Sequence, residues 1–137
     1  MKAVRIHEHG DTNVLMWEEI SDPVIKPDQV LVQIKAAAMN HLDIWVRQGI
    51  PGISLPMILG SDAAGIIKKV GRDVNGFTTD DAVVINPLLF CGECDSCICD
   101  RENECSSIGI FGESTDGTNC ELIAVNQRNL RKKPDNI

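Results

Sequence analysis

Four cysteines within one short stretch constrain this chain more than any other feature. Cys91, Cys94, Cys97 and Cys105 follow the spacing C-x2-C-x2-C-x7-C. Two intervening residues let the backbone turn so that neighbouring thiolates face one ion. The longer return loop brings the fourth sulfur to the remaining corner of a tetrahedron, the geometry of a closed structural zinc site. Four thiolates leave no position for water, so such an ion stabilises the fold and does not catalyse. The surrounding stretch, about 88–109, has few apolar residues for a core of its own. Metal binding would supply much of its folding energy, on the order of 10 kcal/mol by analogy with zinc-finger peptides.

Two other readings of the cysteines compete. Ferredoxin-type clusters use C-x2-C-x2-C-x3-C-P, whereas here the last gap is seven residues and Ser106 follows Cys105. A redox C-x2-C pair belongs to a βαβ context, which the pattern of this chain lacks. Zinc is the reading the spacing favours. Cys99 falls in the return loop at the wrong register and reads as a spare thiol; Cys120 stands apart.

The rest of the sequence sets the context. Its 137 residues amount to about one domain, and 43% of them are apolar, enough for a core. Thirteen Lys and Arg stand against 20 Asp and Glu, for a net charge of −7 with no basic stripe, which disfavours nucleic acid as a partner. No apolar run approaches the roughly 20 residues of a bilayer-spanning helix. The opening Met1–His7 mixes charges with apolar residues and forms no signal-peptide core, so a cytoplasmic location is the expectation. Reducing compartments disfavour disulfides and leave clustered cysteines as ligands or redox groups.

Strand patterns dominate: Lys2–His7, Gln29–Ala38 with Val30, Val32 and Ile34 on one face, Ala63–Val70, Ala82–Ile85, and Leu122–Val125 closing the series. Gly65 within its strand signals a bulge or a close backbone approach. Asn40–Arg47 reads as a helix capped by Asn40, with Leu42, Ile44, Trp45 and Val46 as its apolar face. Short strands punctuated by Gly and Pro point to a mainly β barrel or sandwich. His7 and His9 read as solvated.

The cysteine stretch sits between Gly60-Ser61-Asp62-Ala63-Ala64-Gly65 and Asp116-Gly117-Thr118-Asn119-Cys120-Glu121. In this the sequence resembles the N-terminal GroES-like catalytic domain of zinc-containing medium-chain alcohol dehydrogenases and their quinone oxidoreductase relatives, over essentially its whole length. The resemblance implies a partly open β-barrel across residues 1–137, with short helices and a zinc lobe at about 88–109. Cys91, Cys94, Cys97 and Cys105 match the family's structural-zinc ligands. Gly60, Gly65, Gly71 and Val74 fit its signature Gly-His-Glu-x2-Gly-x5-Gly-x2-Val, but Ser61 and Asp62 replace the His and Glu. Asn40, in Asn40-His41-Leu42-Asp43, stands where the family's other catalytic-zinc ligand is a Cys.

A carboxamide and a hydroxyl are poor zinc ligands beside imidazole or thiolate. The expectation is therefore one structural zinc per chain and no catalytic zinc. Without a Lewis acid an alcohol–ketone couple loses stabilisation of its alkoxide. Quinones and enones give a delocalised oxyanion that a hydrogen bond can serve, with Asn40 or His41 as the candidate donor. Asp43, matching an Asp that orients the missing His, would fix the helix.

No Gly-x-Gly-x-x-Gly after a strand is present; Gly109-Ile110-Phe111-Gly112 lacks the spacing. NAD(P)H would then be held by a Rossmann domain outside this sequence, and the chain alone would be inactive. The expected function is the substrate side of an NAD(P)-dependent oxidoreductase acting on a small carbonyl or quinone, compatible with a homo-oligomer. Two alternatives stand beside it. One is a zinc alcohol dehydrogenase with an altered metal set, such as Asp62 with His41. The other is a free-standing zinc-binding interaction module.

Overall fold

The computed structural model describes residues 1–134 and Asn136. Ten strands and two short helices follow one another as β1 (Lys2–Ile6), β2 (Met16–Glu19), β3 (Gln29–Ala38), α1 (His41–Gln48), β4 (Met57–Ile58), β5 (Asp62–Val70), β6 (Ala82–Ile85), β7 (Leu88–Leu89), α2 (Asp95–Ile98), β8 (Gly109–Ile110), β9 (Leu122–Asn126) and β10 (Leu130–Lys132). They make a five-stranded sheet in the order β10-β6-β5-β3-β9, a three-stranded sheet β2-β1-β4, and the hairpin β7-β8. All pairings between these strands are antiparallel.

The long strand β3 organises the larger sheet. Its alternation puts Val30 and Val32 on the core face, opposite Ile67 of β5 and Ile123 and Val125 of β9. With Val83, Ile85 and Leu130 they form a contiguous apolar core, the non-directional term that drives the sheet to close. A second, smaller core of Ile6, Val14, Val46, Met57 and Leu59 fastens α1 to the three-stranded sheet.

The two sheets are joined where β1 meets the segment before β9. Ala3 bridges Cys120, the Val4 N–H donates to the Asn119 carbonyl at 2.9 Å, and the Glu121 N–H donates to the Lys2 carbonyl at 3.0 Å. The result is the expected mainly β, partly open barrel.

Gly65 does what its position implies. A Cβ there would stand 2.2 Å from the Gln33 carbonyl oxygen, and the β3–β5 register shifts between Ile34 and Ala36, beside the Ile34–Gly65 pair. Only a residue without a side chain lets the strands approach so closely.

Two expectations need correction. The strand series does not close at Val125: β10 pairs with β6 on the sheet edge. Its Arg131 and Lys132 hid it, because edge strands carry charge where inner ones carry apolar residues. The buried face of α1 also differs from its apolar pattern, since Asp43, Val46 and Arg47 are buried while Ile44 and Trp45 are exposed. The polar pair is tolerated because it is hydrogen-bonded: Arg47 donates to the Gly10 carbonyl at 2.6 Å, and Asp43 takes two backbone N–H groups as described below.

Candidate metal centre and candidate catalytic cleft

The stretch after β7 builds the cysteine lobe. Gly92, at φ +78°, lets the chain turn sharply after Cys91, and Cys94 stands at the N-cap of the one-turn helix α2, which carries Cys97. A 3₁₀ turn over Glu102–Glu104 returns the chain to Cys105, and β7 and β8 close the neck. The four sulfurs converge. Cys94–Cys97 is 3.5 Å, Cys105–Cys91 3.6 Å, Cys91–Cys97 3.8 Å and Cys94–Cys105 3.9 Å, and all four lie within 4.8 Å of one another. A tetrahedron with Zn–S bonds of about 2.3 Å has edges of about 3.8 Å. These separations are far too long for a disulfide and fit a zinc ion.

The local chemistry favours thiolate at one corner. The backbone N–H groups of Glu93 and Cys94 hold the Cys91 thiol well below its ordinary value, at about 6, and the Cys94 N–H reaches its Sγ at 3.4 Å. Burial pushes the Cys97 thiol up to about 12. Four sulfurs in one space cannot all ionise without a cation among them. The lobe has no core to replace that cation: Ile98 and Ile108 are 68% and 48% exposed. Cys99 is exposed and outside the cluster.

The lobe is latched to the barrel by the turn between β9 and β10. Asn129, buried, donates through Nδ2 to the carbonyls of Asn86 at 3.0 Å and Leu88 at 2.7 Å, and the Asn86 N–H returns to the Asn129 carbonyl at 2.7 Å. The sequence reading missed both Asn129 and its neighbour Arg128, which contacts the carbonyls of Phe90 and Cys91. Neither has a spacing signal, because the contact joins residues about 40 positions apart.

The second cluster lies at the start of α1. Asn40 occupies the N-cap as expected, in a capping-box arrangement with Asp43, and its amide nitrogen is turned to other partners. Its Nδ2 donates to Ser61 Oγ at 3.0 Å and to Asp62 Oδ2 at 2.9 Å. A carboxylate only accepts, so the amide nitrogen is the atom facing Asp62, and both of its hydrogens are taken. Asp43 acts as a clamp: one carboxylate oxygen accepts the Asn40 N–H at 2.8 Å and the other the Gly60 N–H at 3.0 Å.

Ser61 is buried. His41 is exposed and stacks against Trp45, with ring centroids 4.8 Å apart and tilted by 54°. Beside Asp62 lies a cavity of about 270 Å³ floored by Ala36, Ala37, Ala38, Ala63 and Ala64. A larger one, of about 690 Å³, is lined by residues that include Trp17, Met39, Ile44 and Arg47.

These donors do not fit zinc. The Asn40 amide nitrogen has no lone pair to give, its oxygen is engaged in the capping box with the Asp43 backbone, and the remaining oxygens are a hydroxyl and one carboxylate already accepting hydrogen bonds. Among the described residues, the lobe cysteines are the one set of three or more His, Cys, Asp or Glu side chains grouped closely enough for a metal; Asp62 and His41 do not form a second. His7 and His9 are both exposed, as expected, and each also has a protein partner: His7 pairs with Glu18 at 2.5 Å, and His9 Nδ1 meets the Val46 carbonyl at 3.0 Å.

The alcohol dehydrogenase GroES-like domain matches residues 26–135. The chain belongs to that family. It is 36% identical over 134 residues to the NAD-dependent alcohol dehydrogenase of Saccharolobus solfataricus, covering 91% of this chain and 38% of that protein. It is 29% identical over 138 residues to the L-threonine 3-dehydrogenase of Bacillus velezensis, covering 98% of this chain and 39% of that one. Among solved structures, an NAD-dependent alcohol dehydrogenase superposes on all of this chain and 40% of its own, at a TM-score of 0.96 and 42% identity. The cobalt- and zinc-bound thermostable alcohol dehydrogenase of Pyrobaculum aerophilum does so over 96% and 41%, at 0.90 and 31%. This GroES-like domain thus spans about two-fifths of the relatives it matches, which are oxidoreductases. No helix among its described residues is long and apolar enough to cross a membrane.

Proposed function

We propose that residues 1–137 are the substrate-side domain of an NAD(P)-dependent oxidoreductase, with one zinc held by Cys91, Cys94, Cys97 and Cys105 in a lobe at about 88–109, and no catalytic zinc. The single observation that carries this reading is the contrast in donors: four converging sulfurs in the lobe, against an Asn40 amide whose hydrogens are bonded to Ser61 and Asp62. Bound zinc would lend the lobe its rigidity. The nicotinamide would come from polypeptide outside this span, in line with relatives more than twice as long, and the 137 residues alone would not turn over.

The proposed chemistry is hydride transfer to a quinone, enone or other activated carbonyl, whose oxyanion is delocalised and needs a hydrogen bond more than a Lewis acid. Asn40 can serve as that donor only by releasing Ser61 or Asp62. His41, exposed at the first turn of α1, needs no such exchange. Asp43 keeps the helix start and the Gly60 backbone in place for either. Metal analysis of the purified chain tests the reading: one zinc per chain supports it, and two would restore a metal-dependent alcohol dehydrogenase. In a longer polypeptide carrying this domain, NAD(P)H oxidation by quinones that survives removal of loosely held metal is the activity expected. Alcohol oxidation abolished by chelation would sink it.

A further inference from the structure

The cysteine lobe carries more negative charge than its own residues cancel. Within it stand Glu93, Asp95, Asp100, Glu102 and Glu104 against Arg101 alone, and Arg101 is engaged by Glu104 at 3.1 Å. Four thiolates around a divalent ion leave a further charge of about −2 at the centre. A basic side chain of the barrel reaches into the lobe. Arg128 lies on the turn Gln127–Asn129, and its Nη1 donates to the Cys91 carbonyl and, at 3.4 Å, to the Phe90 carbonyl.

The side chain is fixed from both ends. Nε donates to Asn126 Oδ1 at 3.1 Å, and the guanidinium sits 5.9 Å from the centre of the Phe90 ring. Gly92 is pressed so close that a Cβ there would lie 2.2 Å from Arg128 Nη1. No carboxylate pairs with Arg128 among the described residues. Its charge is therefore free to act on what it faces.

We propose that Arg128 is a positioning residue for the Cys91–Cys94–Cys97–Cys105 metal centre, holding the first ligand's backbone and offsetting the charge of the thiolate cluster. The inference rests on the reading that the cluster binds zinc. Standard bond lengths keep a cysteine sulfur within about 5 Å of its own carbonyl oxygen. A guanidinium bonded to that oxygen therefore stands inside the screening length of about 8 Å at physiological salt. Arginine suits the place because its planar fork can meet two carbonyls while its charge persists at any working pH.

The test is zinc transfer from the loaded 137-residue chain to a chromophoric chelator, for the wild type and for Arg128→Gln, Arg128→Lys and Arg128→Ala. Outer partners of metal ligands change affinity by about 10–100-fold. Arg128→Gln and Arg128→Ala are expected to weaken zinc binding roughly tenfold or more, and Arg128→Lys to recover most of it. The gap between wild type and Arg128→Gln should narrow in 1 M salt. A glutamine variant that matches the wild type overturns the proposal, and a lysine variant as weak as glutamine overturns its electrostatic part. A wild-type chain that takes up no zinc overturns the zinc reading and this inference together, whereas a zinc-loaded wild type with unchanged variants overturns this inference alone. Circular dichroism at saturating zinc separates lost affinity from lost folding.

Discussion

The lobe and the cleft at Asn40 solve the problem of clustered polar side chains in opposite ways. In the lobe, four sulfurs meet within 4.8 Å of one another with weak S–H donors between them and no apolar core beneath, an arrangement that needs an ion to be stable. At the cleft, the Asn40 amide, the Ser61 hydroxyl and the Asp62 carboxylate complete one another with bonds of 2.9–3.0 Å. That cluster is satisfied without a metal. The difference teaches that ligand identity alone is not the criterion. A metal site is recognised by donors whose available partners are too weak to satisfy them, and the Asn40 cluster is one whose donors and acceptors match each other.

The largest effect tests the lobe half of this contrast. Cys94→Ser removes the sulfur that stands 3.5 Å from Cys97 and 3.9 Å from Cys105. Zinc content is expected to fall from one per chain to none, and with it about 10 kcal/mol of lobe folding energy. Elemental analysis with proteolysis of the lobe reads this; full zinc retention by the variant would break the comparison at its root.

The cleft half is tested by Asp43→Ala. The change strands the N–H groups of Asn40 and Gly60, each costing about 1–3 kcal/mol when left unpaired in a buried setting. A loss of roughly 2–5 kcal/mol in urea unfolding is expected, with zinc content unchanged. If zinc were lost too, the two regions would be one cooperative site and not two.

How much of this was legible beforehand differs between the same two regions. The cysteine spacing carried the lobe because sequence-local ligands fold around one point, and the strand alternation of Gln29–Ala38 carried the central strand. The glycine in β5 announced the close approach of Gln33. What sequence could not carry was the use of long-range partners. Asn40 read as a helix cap because that is its local option, and only the fold brings Ser61 and Asp62, more than 20 positions away, to take its hydrogens. Asp43 read only as fixing the helix, and neither its second partner, the Gly60 N–H, nor the burial of Arg47 on the Gly10 carbonyl had a local signal, since both partners come from other elements. Arg128 gave no signal at all.

Cys120 shows what becomes of a partly buried thiol away from the cysteine cluster. Burial, aided by the charge of Asp116, pushes it from 9.0 up to about 12, while its Sγ faces the Gly117 and Leu122 carbonyls. The unfolded chain releases this proton near pH 9 and the folded chain keeps it to about 12. Between those values the unfolded state therefore binds fewer protons, and stability falls as pH rises. Below pH 9 the group contributes no slope. Chemical unfolding of wild type and Cys120→Ala should diverge by about 1.4 kcal/mol between pH 8 and pH 10. Parallel pH profiles would place the thiol in a more solvated setting. Thiol labelling sharpens the point: with zinc bound, Cys99 is the one cysteine expected to react quickly.

The smallest effect probes whether the cleft cluster is held by its own bonds. Ser61→Ala removes one acceptor of the Asn40 amide but leaves Asp62, so a cost of about 1 kcal/mol is expected, visible as a small shift in the urea midpoint. The cost stays low because the deleted hydroxyl takes its own desolvation penalty with it, and because the remaining N–H of Asn40 lies close to Asp62. A gain of stability would mean that Ser61 is strained in its place. A loss above about 3 kcal/mol would mean that the cluster acts as a cooperative network, with Ser61 as its hub. In that case Asn40 could not swing toward a substrate oxygen, and His41 would be left as the donor.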